Sequence, residues 1–245
     1  MVETAQPKEK PQKGKKLYEG KAKIVYATDD PNLVIQYFKD DASAFNAKKT
    51  GTIDQKGVMN NFIASRIFEV LTEHGIKTHF VEKLSDRGML IKKVAIIPVE
   101  VVVRNRVAGS LAKRMGMPEG TDLKRTILEF YYKDDALDDP MINSDHIRAF
   151  SLATDEEIEQ IREQAMKINS LLREMFKKAG VELIDFKLEF GRAGGKLLLA
   201  DEISPDTCRL WDAKTGEKLD KDRFRFDLGK VEESYREIVK RMGGQ

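Results

Sequence analysis

Apolar positions recur at every second residue through much of the first half of the chain and at three-to-four spacing in three later stretches. The runs LYEGKAKIVYAT and LVIQYF, separated by Asp29-Asp30-Pro31-Asn32, predict a hairpin whose first strand contains Gly20. The polar stretch KDDASAFNAKKTGTIDQKG that follows predicts a long loop, with the composition of a substrate-closing segment or of a plain surface loop. Val58, Phe62, Ile63, Ile67, Val70 and Leu71 predict an amphipathic helix that packs on the first sheet and ends at Gly75. THFVEKL, GMLIKKVAII and PVEVVVRNRV predict strands, the last β-branched enough to be buried on one face at least. Thr154, with Glu157 placed for a capping box, opens a second long helix striped by Ile158, Ile161, Ala165, Ile168, Leu172 and Met175. A last helix is predicted over about residues 228–241. Strands cluster early and helices late without regular βαβ alternation, so the predicted class is α+β.

Composition narrows the function classes. At 245 residues, 41% hydrophobic and 34% charged, the chain is long enough for one large domain or two lobes, and no apolar run approaches the roughly 20 residues of a membrane span. Residues 1–16 carry five lysines against Glu3 and Glu9, so the net charge of +2 leaves residues 17–245 at −1. Nucleic-acid binding is not expected from so neutral a body. The first 16 residues read as a disordered basic tail without the apolar core of a secretory signal. With a single cysteine, Cys208, the expectation is a reducing, cytoplasmic setting.

Four segments hold candidate chemistry. Gly20 lets backbone approach a phosphate, and Lys21 and Lys23, two apart on a strand, would offer it two ammonium groups from one face; a solvated hairpin face is the alternative. PVEVVVRNRVAGS puts Glu100, Val102, Arg104 and Arg106 on one strand face and leads to Gly109 and Ser110, parts suited to a phosphate monoester. An internal Glu100–Arg104 ion pair is the alternative there. In VELIDFKLEF, Asp185, Lys187 and Glu189 face one way and Phe186, Leu188 and Phe190 the other. If Phe190 pairs with Lys196, Asp201 joins the charged face and a carboxylate surface fit for Mg²⁺ results; cross-strand salt bridges are the alternative. SPDTCRLWD then places Asp206 and Arg209 beside it, while the three histidines lack metal-ligand spacing and Cys208 reads as a packing residue.

LYEGKAKIVY, PVEVVVRNRVAGS, DFKLEFG and DEISPDTCRLW, in this order, closely resemble the SAICAR synthetase family, from about residue 17 to the end. The resemblance implies a smaller kinase-like lobe (17–97) over a larger α+β lobe (98–245), with the active site in the cleft between them. It implies an ATP-dependent ligase of purine biosynthesis that joins L-aspartate to the carboxylate of carboxyaminoimidazole ribonucleotide (CAIR), giving the succinocarboxamide SAICAR, ADP and phosphate. ATP and Mg²⁺ are the implied cofactors. By resemblance, Lys21 and Lys23 lie near the ATP phosphates, and Val25 with the backbone from Lys92 to Val94 lies around the adenine. Glu189 and Asp201 match metal ligands, and Arg104, Ser110 and Arg209 match the grip on the ribonucleotide phosphate. Asp185, Lys187 and Asp206 fall near the imidazole and its carboxylate, with Asp185 and Lys187 the catalytic candidates. Ser43-Ala44-Phe45-Asn46 departs from the glycine- and aspartate-rich loop of some members, so no aspartate-binding residue is assigned, and a homodimer is the assembly to test. A small-molecule kinase and a non-catalytic nucleotide sensor are the rival readings.

Overall fold

The computed structural model describes residues 11–45 and 47–244, and the predicted disordered tail lies largely outside them. The elements run β1 (Lys16–Glu19), β2 (Lys23–Ala27), β3 (Leu33–Phe38), β4 (Asp41–Ala44), β5 (Lys49–Thr52), α1 (Lys56–Glu73), β6 (Phe80–Lys83), β7 (Gly88–Lys92) and β8 (Ala95–Arg106). They continue with α2 (Gly109–Met115), β9 (Asp122–Tyr132), β10 (Met141–Ile142), α3 (Ser144–Ala149), α4 (Asp155–Lys178), β11 (Val181–Ala193), β12 (Lys196–Ala200), β13 (Cys208–Asp212), α5 (Asp222–Arg225) and α6 (Val231–Arg241).

Two antiparallel sheets form the two lobes. The first has the order β1-β2-β3-β7-β6; the second has β10-β9-β8-β11-β12, with β13 also pairing β11. This is the expected α+β class. The predicted first strand is itself a hairpin, because the chain turns back at Gly20-Lys21-Ala22 between β1 and β2. Its pairing extends to Gly14, whose N–H donates to the Ala27 carbonyl at 2.8 Å. The polar stretch forms a two-stranded ribbon, β4–β5, rather than a structureless loop.

Helix α1 carries its core face at Ile63, Ala64, Ile67, Phe68 and Leu71, and α6 packs beside it. Helix α4 has the predicted capping box, the Thr154 side chain accepting from the Glu157 N–H while Glu157 accepts from the Thr154 N–H. Its stripe lies on the inner face of the second sheet, with Phe176 rather than Met175 in the core. On β8, Val99, Val101 and Val103 are buried against α4, and on β11 so are Phe186, Leu188 and Phe190. Those alternations turn Glu100, Val102 and Arg104, and Asp185, Lys187 and Glu189, toward the other lobe. No helix among the described residues is long and apolar enough to cross a membrane.

The β11–β12 register differs from expectation. Gly194 (φ 54°) and Gly195 (φ 70°) make a two-residue turn that pairs Ala193 with Lys196, so Phe190 faces Leu199 and Glu189 faces Ala200. Two consecutive left-handed residues suit the twist of a tight hairpin, and glycine adopts them without steric cost. Asp201 then lies past the strand end, and its own left-handed backbone (φ 62°) swings it toward Lys187.

Candidate active site

Between the sheets lies a cavity of about 920 Å³ with a strongly charged lining. Gly20, Lys21 and Lys23 line it from the first lobe, and Arg104, Asp185, Lys187, Glu189, Asp201, Asp206 and Arg209 from the second. Val25, Lys92 and Val94 lie outside this lining. Val25 packs against the core, Lys92 closes β7 as an exposed residue, and the Val94 side chain crowds Gly191, where a Cβ would come within 2.8 Å of it.

Lys21 and Lys23 do not share a strand face, because Lys21 sits in the β1–β2 turn. Lys21 Nζ lies 2.8 Å from Asp135, whereas Lys23 pairs with both Asp201 and Glu202. The Lys23 contacts tie the first strand pair to the end of β12, so the ion pair bridges the lobes. Behind it, Lys187 Nζ stands 2.8 Å from Glu100, 2.9 Å from Glu189 and 3.8 Å from Asp201. Burial disfavours its charge, but Glu189, Asp201 and Glu100 outweigh that and hold the ammonium well above its ordinary pKa. Lys133 approaches Glu189 from the far side. Asp201 is held below the usual carboxylate range: burial opposes its charge, and Lys23 and Lys187 overcome the opposition.

Glu189 and Asp201 supply only carboxylate oxygens, the hard donors that suit Mg²⁺. No group of three or more metal-ligating side chains gathers among the described residues. A magnesium ion that keeps waters and phosphate oxygens needs only one or two protein carboxylates, so the pair fits.

On the other side of Lys187, the strand register explains the arginines. Asp185 sits directly opposite Arg104 on β8 and opposite Arg209 on β13. Arg104 is buried, donating to Asp185 at 2.9 Å, Glu129 at 2.6 Å, the Ser110 hydroxyl at 2.9 Å and the Tyr131 hydroxyl at 3.1 Å. The alternative Glu100–Arg104 pair does not form, since Glu100 meets Lys187 instead. A bulge after Arg104 turns Arg106 out of the cleft to Asp122 and Glu182. Arg209 reaches Asp185 at 3.0 Å and Asp222 at 2.8 Å, and its guanidinium lies over Gly109, where a Cβ would come within 2.4 Å of it.

Cys208 lines the cavity floor, but burial pushes its thiol far up, so it is no nucleophile. Several residues in or beneath the cleft carried little signal in sequence. Lys56, Lys133 and Tyr235 stand in no motif, while Glu129 and Tyr131 could have been found from the alternation of LEFYY on β9.

Fold and cleft together define a two-lobed α+β protein whose candidate site lies where one lobe's lysines meet the other's carboxylates and arginines. A family model described as SAICAR synthetase matches residues 16–242. The phosphoribosylaminoimidazole-succinocarboxamide synthase of Magnetococcus marinus is 60% identical over 235 residues, 95% of this chain and 97% of that one. The crystal structure of the corresponding synthase from Ehrlichia chaffeensis matches with a TM-score of 0.93 at 50% identity, over 94% of this chain and 99% of that chain. A SAICAR synthetase in complex with ADP matches with a TM-score of 0.90 at 49% identity, covering 93% and 97%. The chain belongs to the SAICAR synthetase family.

Proposed function

We propose that the interlobe cavity is where this ATP-dependent ligase joins L-aspartate to the carboxylate of CAIR, giving SAICAR, ADP and phosphate. The observation that carries this reading is the Lys23 bridge to Asp201 and Glu202, which brings phosphate-binding ammonium groups and metal-binding carboxylates to one point between the lobes. Residues 17–97 are the proposed nucleotide lobe and 98–245 the proposed substrate lobe, a division that falls within β8, whose pairing to the second sheet begins at Ala95.

A carboxylate is a poor acyl donor because oxide is a poor leaving group. Attack of the CAIR carboxylate oxygen on the γ-phosphorus breaks the bond to ADP and yields an acyl phosphate. The aspartate amine, having lost a proton, then adds to the acyl carbon and phosphate departs. Alignment and charge neutralisation suffice for both steps. Gly20, Lys21 and Lys23 bind the phosphates; Val25 and the Lys92–Val94 backbone, which lie outside the cavity lining, bound the adenine beyond it. Glu189 and Asp201 would hold Mg²⁺, which when bound supplies charge neutralisation on the transferring phosphoryl group. Lys187 steadies the transferring group, and Asp185 orients the ribonucleotide through Arg104 and Arg209. Arg104, Ser110 and Arg209 take the ribonucleotide phosphate, with Asp206 near the imidazole.

ADP release measured with CAIR and aspartate, singly and together, tests the reading. Release requires both; fast release with either omitted would overturn it, and release without aspartate would mark a kinase.

A further inference from the structure

Asp206 is gripped from below the cleft by two side chains for which the proposed chemistry has no direct use. Lys56 Nζ stands 2.6 Å from Oδ2, and the Tyr235 hydroxyl donates to Oδ1 at 2.7 Å. Both partners are fully buried, while Asp206 itself reaches the cavity wall. Three distant pieces of chain meet there: the first residue of α1, the loop after β12, and α6.

The arrangement is fixed on every side. Next to Lys56, the Gly57 N–H donates to Asp40 Oδ1 at 2.8 Å, and Arg87 clamps Asp40 with bonds of 2.7 and 2.8 Å. A Cβ at position 57 would come within 2.5 Å of the Phe38 carbonyl, so the backbone packs too closely there for any side chain. The Asp206 loop is closed on itself by the Ser204 hydroxyl, which accepts from the Asp206 N–H at 3.2 Å, and by the Ser204 carbonyl, which accepts from the Thr207 N–H at 2.9 Å. From Thr207 the ordering passes into the site, since the Lys187 N–H donates to the Thr207 carbonyl at 2.9 Å.

Stability alone is a weak reason for such a cluster. A buried ion pair is often matched or bettered by apolar side chains of similar volume. What apolar residues cannot do is hold a cavity-lining carboxylate in one orientation.

We infer that Lys56 and Tyr235 are positioning residues that set the Asp206 carboxylate to accept a hydrogen bond from an N–H group of the imidazole substrate. The inference rests on the proposed placement of Asp206 beside that substrate. Oδ2 is committed to the Lys56 ammonium, with Lys221 Nζ 4.0 Å from the same oxygen, and Oδ1 to the hydroxyl, and an ionised carboxylate only accepts. Its remaining lone pairs therefore select a donor, such as the amino group of an aminoimidazole.

The test compares Tyr235→Phe with Ile238→Val, a core change on the same helix that touches nothing in the site. Michaelis constants for CAIR and ATP, turnover and thermal midpoint are measured for both. Tyr235→Phe is expected to raise the CAIR constant about tenfold, the size of one hydrogen bond to a charged group, and to leave the ATP constant in place. Ile238→Val should lower the midpoint and move neither constant. Lys56→Gln carries the same measurement if Tyr235→Phe does not fold. An unchanged CAIR constant in a folded Tyr235 or Lys56 variant, with only the midpoint lowered, would leave the cluster purely structural and overturn the inference. Wild-type ADP release without aspartate would instead overturn the proposed reaction, so the two failures are told apart.

Discussion

Arg104 and Arg209 hold the same carboxylate oxygen: their Nη1 atoms lie 2.9 and 3.0 Å from Asp185 Oδ2. The two come from β8 and β13, which flank β11, and each stands opposite Asp185 in the ladder. A phosphate bound there would meet guanidinium groups already oriented by that carboxylate. Both are held above their ordinary pKa, because Asp185 and their other carboxylate partners outweigh burial.

Arg104→Lys and Arg209→Lys should therefore raise the CAIR Michaelis constant by roughly tenfold to 150-fold, the range for charge-assisted hydrogen bonds. Lysine keeps the charge but not the planar fork that spans Asp185 and a second acceptor. The ATP constant should stay in place. A rise confined to the ATP constant would move these residues to the nucleotide side.

Gly109→Ala tests how Arg209 is placed. At φ 52° a side chain costs roughly 1–2 kcal/mol, and the new Cβ would also displace the guanidinium. The expected result is lower stability together with weakened CAIR use. Ser110→Ala, which removes one hydroxyl from Arg104, should be milder on both counts. Equal effects from the two would mean that the Gly109 contact is incidental.

How much of this was legible in sequence depended on which distances mattered. The alternation in VELIDFKLEF fixed which side chains face the cleft, since a strand's faces follow from its own residues. The Thr154–Glu157 box was equally local. The Asp201 position was not: it hangs on where the hairpin turns, and the Gly194-Gly195 turn moves the register three residues from a pairing that starts at Phe190 and Lys196. Asp201 still reaches the charged face, but by a left-handed backbone rather than by strand alternation. Lys56 and Tyr235 were illegible for a further reason, because a lysine at a helix start and a tyrosine on an amphipathic helix look like surface and core until three elements meet at Asp206.

Glu189→Gln and Asp201→Asn should each lower turnover and raise the Mg²⁺ concentration needed for half-maximal rate. An amide keeps the shape and loses the charge that a hard cation requires. The lysines partnered with these carboxylates remain, so nucleotide binding without metal should be little affected. Mg²⁺ dependence unchanged in both variants would remove these residues from the metal site.

Acid stability provides the last test, through Asp206. Burial disfavours its charge, but Lys56 and Lys221 outweigh that and hold its carboxyl far below the usual range. In the unfolded chain an aspartate titrates near pH 3.9, so the unfolded state takes up the proton first. Stability from this group is thus fully present above about pH 4 and is lost as pH falls below it toward the depressed folded value. Asp206→Asn removes the titration, and the wild-type loss of stability between about pH 4 and pH 2 should become shallower in the variant. At neutral pH the same variant should be less stable by about 3–5 kcal/mol, because the Lys56 ammonium is left buried without its partner. Lys56→Met with Asp206→Leu, which removes both charges, should recover much of that loss without recovering CAIR use. Urea unfolding at a series of pH values measures all three slopes. A variant Asp206→Asn whose acid limb matches that of the wild type would show that other carboxylates govern acid unfolding and that the Lys56 pairing is weak.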